Sequence, residues 1–264
     1  MKHYALIGNP LGHSWSQRLF EETVPHDMAD YRLCEMTSLD GLHQWVSDND
    51  ISGFNVTAPY KEAIIQHLDT LSPEAKAIGA VNCVKVTDGR LVGYNTDAPA
   101  FRQTLEDTLS TLHSPLSTLH SALILGTGGA ARAVAYALSQ MGINYTFVSR
   151  HPELHPNSIG YNQIIQTIKQ SSNQAILLVN ATPVGMYPNT DASPLDFTLA
   201  FTHSHINTLV LYDLIYNPSP TLLMRQAATM GAKVVDGLAM LRLQAKLSRD
   251  IFFANNTDYQ PIAK

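Results

Sequence analysis

The sequence predicts an α/β protein, and three observations support this fold class. Short apolar runs of strand length recur along the chain, segments of helical period lie between most of them, and a glycine-rich turn follows one of the runs. Strands that alternate with helices form a largely parallel sheet with helices on both faces. The predicted strands are Tyr4–Ile7, Ser52–Val56, Val81–Val86, Ala122–Leu125, Tyr145–Val148, Ala175–Val179 and Leu209–Leu214.

Composition narrows the class of protein further. The 264 residues carry 17 Lys and Arg against 22 Asp and Glu, and the basic residues are scattered, which argues against a nucleic-acid partner. Cys34 and Cys83 are too few for a disulfide framework and lack neighbours at metal-ligand spacing, so we expect no metal and a cytoplasmic location. The first apolar run is too short for a signal peptide, and no run approaches the roughly 20 residues of a membrane helix.

Three polar stretches follow or adjoin the strands predicted in the first hundred residues. GNPLGHSWS places two serines one residue apart, so that both hydroxyls could point the same way from an extended loop. FNVTAPYK puts a threonine and a lysine after a strand, whereas GAVNCVKV and GYNTDAPA supply an asparagine near a strand and a polar triplet before a helix. The residues concerned are Ser14, Ser16, Thr57, Lys61, Asn82, Asn95, Thr96 and Asp97.

Each of these residues also has a purely structural interpretation. The serines could form a turn, Thr96 and Asp97 an N-cap, and Lys61 could be a solvated side chain. Several of them nevertheless lie at or just after predicted strand ends, where open α/β sheets place ligand groups. A site of Ser, Thr, Asn, Lys and Asp, without an aromatic box or metal ligands, suits a small polyhydroxylated carboxylate.

The middle and the end of the chain predict the domain layout. Residues 110–121 are low in charge and rich in Ser, Thr, His and Pro, which predicts a surface connection between a helix ending near Leu109 and a strand starting at Ala122. From Asp236 onward a helical pattern has no strand after it, so this helix must pack on something already built. The economical layout is a domain of residues 101–235 inserted into a second domain formed by residues 1–100 and 236–264.

The glycine-rich turn is the strongest single motif. After the strand at Ala122 come Gly126, Gly128 and Ala131 in the spacing G-x-G-x-x-A, followed by a helix that Gly142 would end. The first glycine permits the tight turn, the second lets the backbone approach a pyrophosphate, and the small third residue lets helix and strand pack closely. A tight turn without any ligand is the alternative interpretation.

The residues after the predicted strand Tyr145–Val148 indicate which dinucleotide the chain binds. An NAD-binding unit usually places Asp or Glu about 20 residues past the glycines, to hold the ribose 2′-hydroxyl. Here Ser149, Arg150 and His151 stand at that place, and an arginine can accept a 2′-phosphate instead. The pattern therefore favours NADP over NAD, although Arg150 could also be a solvated charge at a strand end.

Together these motifs resemble the shikimate dehydrogenase family, NADP-dependent enzymes that interconvert 3-dehydroshikimate and shikimate on the chorismate route to aromatic amino acids. The resemblance runs over nearly the whole chain, in matching order and spacing. It is carried by GNPLGHSWS, NVTAPYK, GAVNCV, GYNTDA, GTGGAARA, NATPVGMYP, DLIYNP and the GLAMLRLQA helix.

The resemblance implies a fold and a set of site residues. It implies an N-terminal α/β substrate domain completed by the C-terminal helix, a central Rossmann-type dinucleotide domain, and an active site in the cleft between them. The implied catalytic pair is Lys61 and Asp97. The implied substrate-binding residues are Ser14, Ser16, Thr57, Asn82, Tyr216 and Gln244. The implied NADP-binding residues are Gly126, Thr127, Gly128, Gly129, Ala130, Ser149, Arg150, Leu214 and Gly237; a homodimer is left open.

The sequence departs from the family pattern at both ends of the expected site. Gln17 follows Ser16 where the family has proline, and Phe20 with Glu21 replaces a His-Asn pair, which we expect to change packing more than chemistry. On the cofactor side the usual Asn-Arg-Thr reads Ser-Arg-His, and the second basic residue found a few positions later is absent. With Arg150 as the one basic residue expected at the 2′-phosphate, the protein should discriminate NADP from NAD less strongly, unless His151 or His155 contributes.

The implied reaction moves a hydride between nicotinamide C4 and carbon, and a proton on or off oxygen. Lys61 is suited to transfer the proton, and Asp97 to orient Lys61. Burial of Lys61 favours its neutral amine, whereas the Asp97 carboxylate favours its ammonium form, and the sequence leaves open which effect dominates. A dehydrogenase of relaxed substrate or cofactor choice that also uses quinate, or a methylenetetrahydrofolate dehydrogenase, would share the layout. A non-catalytic dinucleotide-binding sensor is the alternative from another class, and the Lys61–Asp97 combination argues against it.

Overall fold

The computed structural model describes residues 1–12, 14–111, 119–170, 175–197, 209–254 and 262–263. The chain divides into two compact units: the first contains residues 1–100 and 242–264, the second residues 101–241. The domain boundaries expected from the sequence, at residues 100 and 236, stay a prediction.

Strands and helices alternate through both units. In the described residues the strands are β1 (Lys2–Gly8), β2 (Ala29–Glu35), β3 (Ile51–Val56), β4 (Thr70–Leu71), β5 (Cys83–Thr87), β6 (Arg90–Tyr94), β7 (Leu119–Leu125), β8 (Asn144–Ser149), β9 (Ser158–Gly160), β10 (Ala175–Asn180), β11 (Leu209–Asp213), β12 (Lys233–Val235) and β13 (Ile262–Ala263). The α-helices in the same residues are α1 (Ser16–Glu21), α2 (Leu42–Asp48), α3 (Tyr60–Ala63), α4 (Pro73–Ile78), α5 (Asp97–Thr111), α6 (Gly129–Gln140), α7 (Ile164–Gln170), α8 (Leu222–Met230) and α9 (Leu238–Phe253).

The sheet of the first unit is mixed, whereas the alternating pattern predicts a largely parallel one. Its strand order is β13-β4-β6-β5-β3-β1-β2; β1 is parallel to β2 and β3, but β5 is antiparallel to both β3 and β6. A two-residue turn at Asp88 and Gly89, with φ of 51° and 73°, joins β5 to β6. These positive φ values suit the turns that connect antiparallel strands, and Asp-Gly adopts them readily.

Both faces of this first sheet are covered. Side chains alternate along β1, so that Tyr4 and Leu6 pack in one apolar cluster and Ala5 and Ile7 in another. Phe252 of α9 belongs to the first of these clusters and stacks on Tyr4, with 4.7 Å between ring centroids. The C-terminal helix therefore completes the core of a unit in which all strands but β13 come from the first hundred residues.

The sheet of the second unit is entirely parallel. Its order is β12-β11-β10-β7-β8-β9, and every neighbouring pair runs in the same direction. Counted within the unit, this is the 3-2-1-4-5-6 order of the doubly wound dinucleotide-binding fold. The continuous apolar run of β10 is buried, as expected for a central parallel strand covered on both faces. The predicted α/β class is confirmed.

The predicted loop at residues 110–121 is too long at both ends. Helix α5 extends to Thr111, and β7 already begins at Leu119, while residues 112–118 lie outside the described residues. The hydroxyls of Thr108, Ser110 and Thr111 donate hydrogen bonds to backbone carbonyls one turn earlier, so these polar side chains are satisfied within the helix.

Three further observations concern membranes, metals and thiols. Within the parts of the chain that the structure describes, no helix has the length and hydropathy needed to cross a membrane. In the same residues no three His, Cys, Asp or Glu side chains gather as metal ligands would. Cys34 and Cys83 are free thiols, and burial raises the pKa of the Cys83 thiol to about 12.

Candidate active site

Lys61 and Asp97 form a short ion pair in the first unit. Lys61 lies in α3, just after β3, and Asp97 is the first residue of α5, shortly after β6. Lys61 Nζ donates a hydrogen bond of 2.7 Å to Asp97 Oδ2, and the two side chains are 19% and 7% exposed. The structure thus brings the predicted catalytic pair into direct contact, with the lysine side chain still reachable from solvent.

Asn82 holds the other oxygen of this carboxylate. Its Nδ2 donates to Asp97 Oδ1 and to Thr96 Oγ1, both at 2.9 Å, and its Oδ1 accepts from the Thr96 backbone N–H at 2.7 Å. Asn95 accepts from the Ala98 backbone N–H and so caps α5. The cap is therefore Asn95, which leaves both oxygens of Asp97 to side chains that can orient it.

The paired serines and Gln244 belong to the same unit. Ser14 Oγ donates to Ser16 Oγ at 3.2 Å, and Gln244 Oε1 accepts from Asn82 Nδ2 at 3.4 Å. Ser16 and Gln244 also line a cavity of about 260 Å³. Thr57 follows β3, and its backbone N–H donates to the Ile7 carbonyl at 2.9 Å. Five predicted substrate-binding residues thus lie in one unit, and the sixth, Tyr216, lies in the other.

A second layer of polar side chains, which was not predicted from the sequence, supports Asn82. Asn55 Nδ2 donates to the Asn82 carbonyl at 3.0 Å and to Ser248 Oγ at 2.8 Å, while its Oδ1 accepts from the Tyr31 hydroxyl at 2.8 Å. Burial raises the pKa of Tyr31 well above its usual value, so this phenol keeps its proton. One available signal was the position of Ser248 four residues after Gln244, which places both on one helix face.

The glycine turn of the second unit has the geometry that a dinucleotide pyrophosphate needs. Gly126 has φ of +99°, and a side chain there would lie 3.2 Å from Thr182. Gly128 has φ of −76°, and a Cβ there would meet no protein atom within 4 Å, so space lies open beside the backbone. Ala131 is fully buried, and the first turn of α6 carries no acidic residue. The turn therefore fits a pyrophosphate at the helix N-terminus.

The remaining predicted cofactor residues lie on the same unit. Gly129 and Ala130 begin α6, and Thr127 stands between the two glycines of the turn. Ser149 ends β8, and its hydroxyl accepts from the His151 backbone N–H at 3.0 Å, whereas the Arg150 side chain is exposed. Leu214 and Gly237 are in close contact, because a side chain on Gly237 would overlap the Leu214 carbonyl.

Asp213 is a buried carboxylate that the sequence analysis did not single out. It ends β11, directly before Leu214, and accepts hydrogen bonds from Asn180 Nδ2, the Ile215 backbone N–H and Thr221 Oγ1 at 2.8 to 3.1 Å. Burial raises its pKa to about 6, and these hydrogen bonds limit the increase. Its acceptor contacts fix the start of the Leu214–Tyr216 segment, so we regard it as a positioning residue.

Fold and site together define a two-unit α/β protein of the dinucleotide-binding oxidoreductase class. The family model described as the shikimate dehydrogenase substrate binding domain matches residues 6–84. A shikimate dehydrogenase (NADP(+)) from Methanococcus maripaludis is 33% identical over an alignment that covers 100% of this chain and 95% of the relative.

Two solved structures agree with that match. Shikimate dehydrogenase 1 from Peptoclostridium difficile superposes with a TM-score of 0.79 at 34% identity, covering 97% of this chain and 94% of its own. Shikimate 5-dehydrogenase from Thermus thermophilus, in complex with NADP(H) and shikimate, gives a TM-score of 0.77 at 33% identity, with coverage of 99% and 95%. The chain belongs to the shikimate dehydrogenase family.

Proposed function

We propose that this chain is an NADP-dependent oxidoreductase that interconverts 3-dehydroshikimate and shikimate, a step of aromatic amino-acid biosynthesis. The observation that carries the proposal is the 2.7 Å contact between Lys61 and Asp97, held by Asn82 in the unit without the glycine turn. The relatives named above are shikimate dehydrogenases, one of them in complex with NADP(H) and shikimate. The fit of the glycine turn to a pyrophosphate supports the dinucleotide half of the reaction.

Lys61 and Asp97 divide the proton chemistry between them. A bound nicotinamide supplies or accepts the hydride at its C4. During reduction Lys61 Nζ donates a proton to the carbonyl oxygen of the substrate, and during oxidation it accepts the hydroxyl proton. Asp97 fixes the direction of the Lys61 side chain through Oδ2, while Asn82 fixes Asp97 through Oδ1.

We assign the substrate's carboxylate and hydroxyls to the polar side chains around this pair. Ser14 and Ser16 present adjacent hydroxyls that can donate to a carboxylate, and Gln244 reaches Asn82, next to Asp97. Thr57 and Tyr216 complete the proposed substrate set. The catalytic and binding roles follow the family pattern, and the geometry of Ser14, Ser16, Asn82 and Gln244 supports them.

We assign NADP to the second unit. Gly126, Thr127, Gly128, Gly129 and Ala130 would hold the pyrophosphate, Ser149 and Arg150 the adenosine 2′-phosphate, and Leu214 and Gly237 the nicotinamide end. The open space beside Gly128 and the exposed Arg150 side chain support this assignment. The cytoplasmic location and the site between the two domains remain expectations from the sequence.

The test is absorbance at the reduced-nicotinamide band with the purified chain, shikimate or quinate, and NADP or NAD, in all four combinations. We expect rapid reduction of NADP with shikimate and little reaction with quinate. A Lys61→Ala variant purified in parallel controls for contaminating host enzyme, since it should lose the signal. Absence of turnover in all four mixtures, from folded protein that still binds dinucleotide, would contradict the proposal and favour a sensor.

Relaxed cofactor choice is the second candidate. Where the family carries its second basic residue this chain has Pro152, Glu153 and Leu154, and the Leu154 side chain is 69% exposed and apolar. Comparable turnover with NAD and NADP in the same assay would establish that candidate.

A further inference from the structure

His155 lies against the glycine turn of the second unit. Its Nε2 is 3.2 Å from Thr127 Oγ1, the side chain between the two glycines. The backbone of His155 is fixed as well: its N–H donates to the Pro152 carbonyl at 3.2 Å, and its carbonyl accepts from Ser158 Oγ at 2.8 Å. A half-buried imidazole is therefore held beside the turn that fits a pyrophosphate.

The neighbouring candidates for a second phosphate contact are placed differently. His151 Nδ1 lies 3.4 Å from Glu153 Oε1, and both side chains are largely exposed. Leu154 cannot bind an anion. No acidic residue stands in the first turn of α6, so a phosphate at the turn meets no repulsion from that helix end.

We propose that His155 binds a phosphate group of the dinucleotide and adds a side-chain contact to those of the glycine turn. The inference rests on the proposed function, because it takes the glycine turn as the phosphate site. When the Thr127 hydroxyl donates to Nε2, the ring proton resides on Nδ1, which can donate to a phosphate oxygen. A protonated ring would donate from both nitrogens and add charge to the hydrogen bond.

The test compares three variants of the full chain. His155→Leu removes the ring nitrogens, His155→Gln keeps a side-chain donor, and His151→Ala is the matched control, a histidine of the same loop paired with Glu153. Dissociation constants for NADPH and NADH are measured by fluorescence titration. We expect the NADPH constant to rise about tenfold in His155→Leu, as for loss of one hydrogen bond to a charged group. It should rise less in His155→Gln and stay at the wild-type value in His151→Ala.

The two dinucleotides distinguish which phosphate His155 contacts. A loss confined to NADPH identifies the 2′-phosphate, whereas an equal loss with NADH identifies the pyrophosphate. Phosphorus NMR of bound NADP adds a readout that a structural role of His155 would not move: the contacted phosphate resonance should differ between wild type and His155→Gln.

Three results would overturn the inference while leaving the function intact. They are wild-type affinity in His155→Leu, an equal loss in His151→Ala, or a loss of affinity without any change in the phosphorus resonances. A wild-type chain that binds neither dinucleotide would instead refute the proposed function itself.

Discussion

At the scale of residues, removal of the Lys61 side chain should abolish most of the activity. Because its Nζ is placed to transfer the proton, we expect Lys61→Ala to lower kcat by about 10²–10⁴-fold, with KM for shikimate much less affected. Steady-state kinetics measures both parameters. Lys76→Ala is the control, an exposed lysine of the same unit that lies on α4, and it should behave as wild type. Near-normal turnover in Lys61→Ala would remove Lys61 from the mechanism.

The sequence predicted polar residues that follow strands, but it did not predict hydrogen bonds between residues far apart in the chain. Lys61 and Asp97 were candidates because both follow predicted strands, where ligand groups collect, and the family resemblance then implied that they form the catalytic pair. Asn55 and Ser248 are 193 residues apart, and nothing in the local pattern of either one predicts their hydrogen bond. Asp213 was overlooked because the predicted strand ran on to Leu214 and so placed Asp213 inside it, and its partner Thr221 lies beyond two prolines.

At the scale of elements, Gly126 and Gly128 in the turn between β7 and α6 have different roles. Gly128→Ala should cost no more than about 1 kcal/mol of stability, the loss of glycine at the N-cap of α6, because its backbone is in an ordinary region and the new Cβ meets no protein atom. The methyl would occupy the space that a pyrophosphate needs, so the Kd for NADPH should rise at least tenfold. Thermal melts and fluorescence titration measure the two quantities.

Gly126→Ala is the matched comparison. Its φ of +99° disfavours any side chain, so we expect about 1–3 kcal/mol of destabilisation together with weaker binding. Equal stability losses in the two alanine variants would contradict this division of roles. An unchanged NADPH affinity in Gly128→Ala would contradict the assignment of the turn to the pyrophosphate.

Asp213 connects the end of β11 to Thr221, the N-cap of α8, and should make the second unit sensitive to pH. Its pKa is about 6 in the fold against an ordinary 3.8, so between pH 4 and 6 the native state holds a proton that the unfolded chain has released. Stability should therefore fall as pH rises through that window, by about 3 kcal/mol from this group. Asp213→Asn should lack this part of the slope.

Urea unfolding at a series of pH values measures the effect. Both tryptophans, Trp15 and Trp45, lie in the first unit, so their fluorescence follows that unit while circular dichroism follows both. If the two units unfold separately, the fluorescence transition should be the same in wild type and Asp213→Asn at every pH, and only the circular dichroism transition should differ. A difference between the two proteins that is independent of pH would show that Asp213 does not titrate in the native state.

Part of the order of strands and helices could be predicted from the sequence, and there are physical reasons why the other elements were missed. Long apolar strands were predicted because burial on both faces leaves a continuous hydrophobic run. The strand β2 was missed because Asp30 and Arg32 interrupt its pattern at the edge of the sheet. The β5–β6 hairpin carried an Asp-Gly signal that the strand prediction left unused, and so the mixed character of the first sheet was not predicted.

For the whole molecule, the α/β class and the return of the C-terminal helix to the first residues followed from the pattern of elements, but the strand pairing that closes the chain did not. β13 pairs with β4, joining residue 262 to residue 71, and the end of α9 packs on β1. Pairings of this kind depend on the folded surface rather than on local sequence. The helical pattern from Asp236 onward predicted that α9 packs on an existing core, whereas the strand β13 that follows it was not predicted.

That closure predicts how stability is distributed over the two units. Phe252 is buried and lies against Tyr4 and Gly53, so Phe252→Ala should destabilise the first unit by about 3–5 kcal/mol. If the units open separately, hydrogen exchange in low urea should accelerate in β1, β3 and residues 242–253 while β7 and β10 keep their protection. Met224→Ala, in the core of the second unit, is the matched control and should show the opposite pattern. Equal acceleration of both sheets in either variant would mean that the chain unfolds as one cooperative body, and the C-terminal helix could then not be assigned to the first unit on energetic grounds.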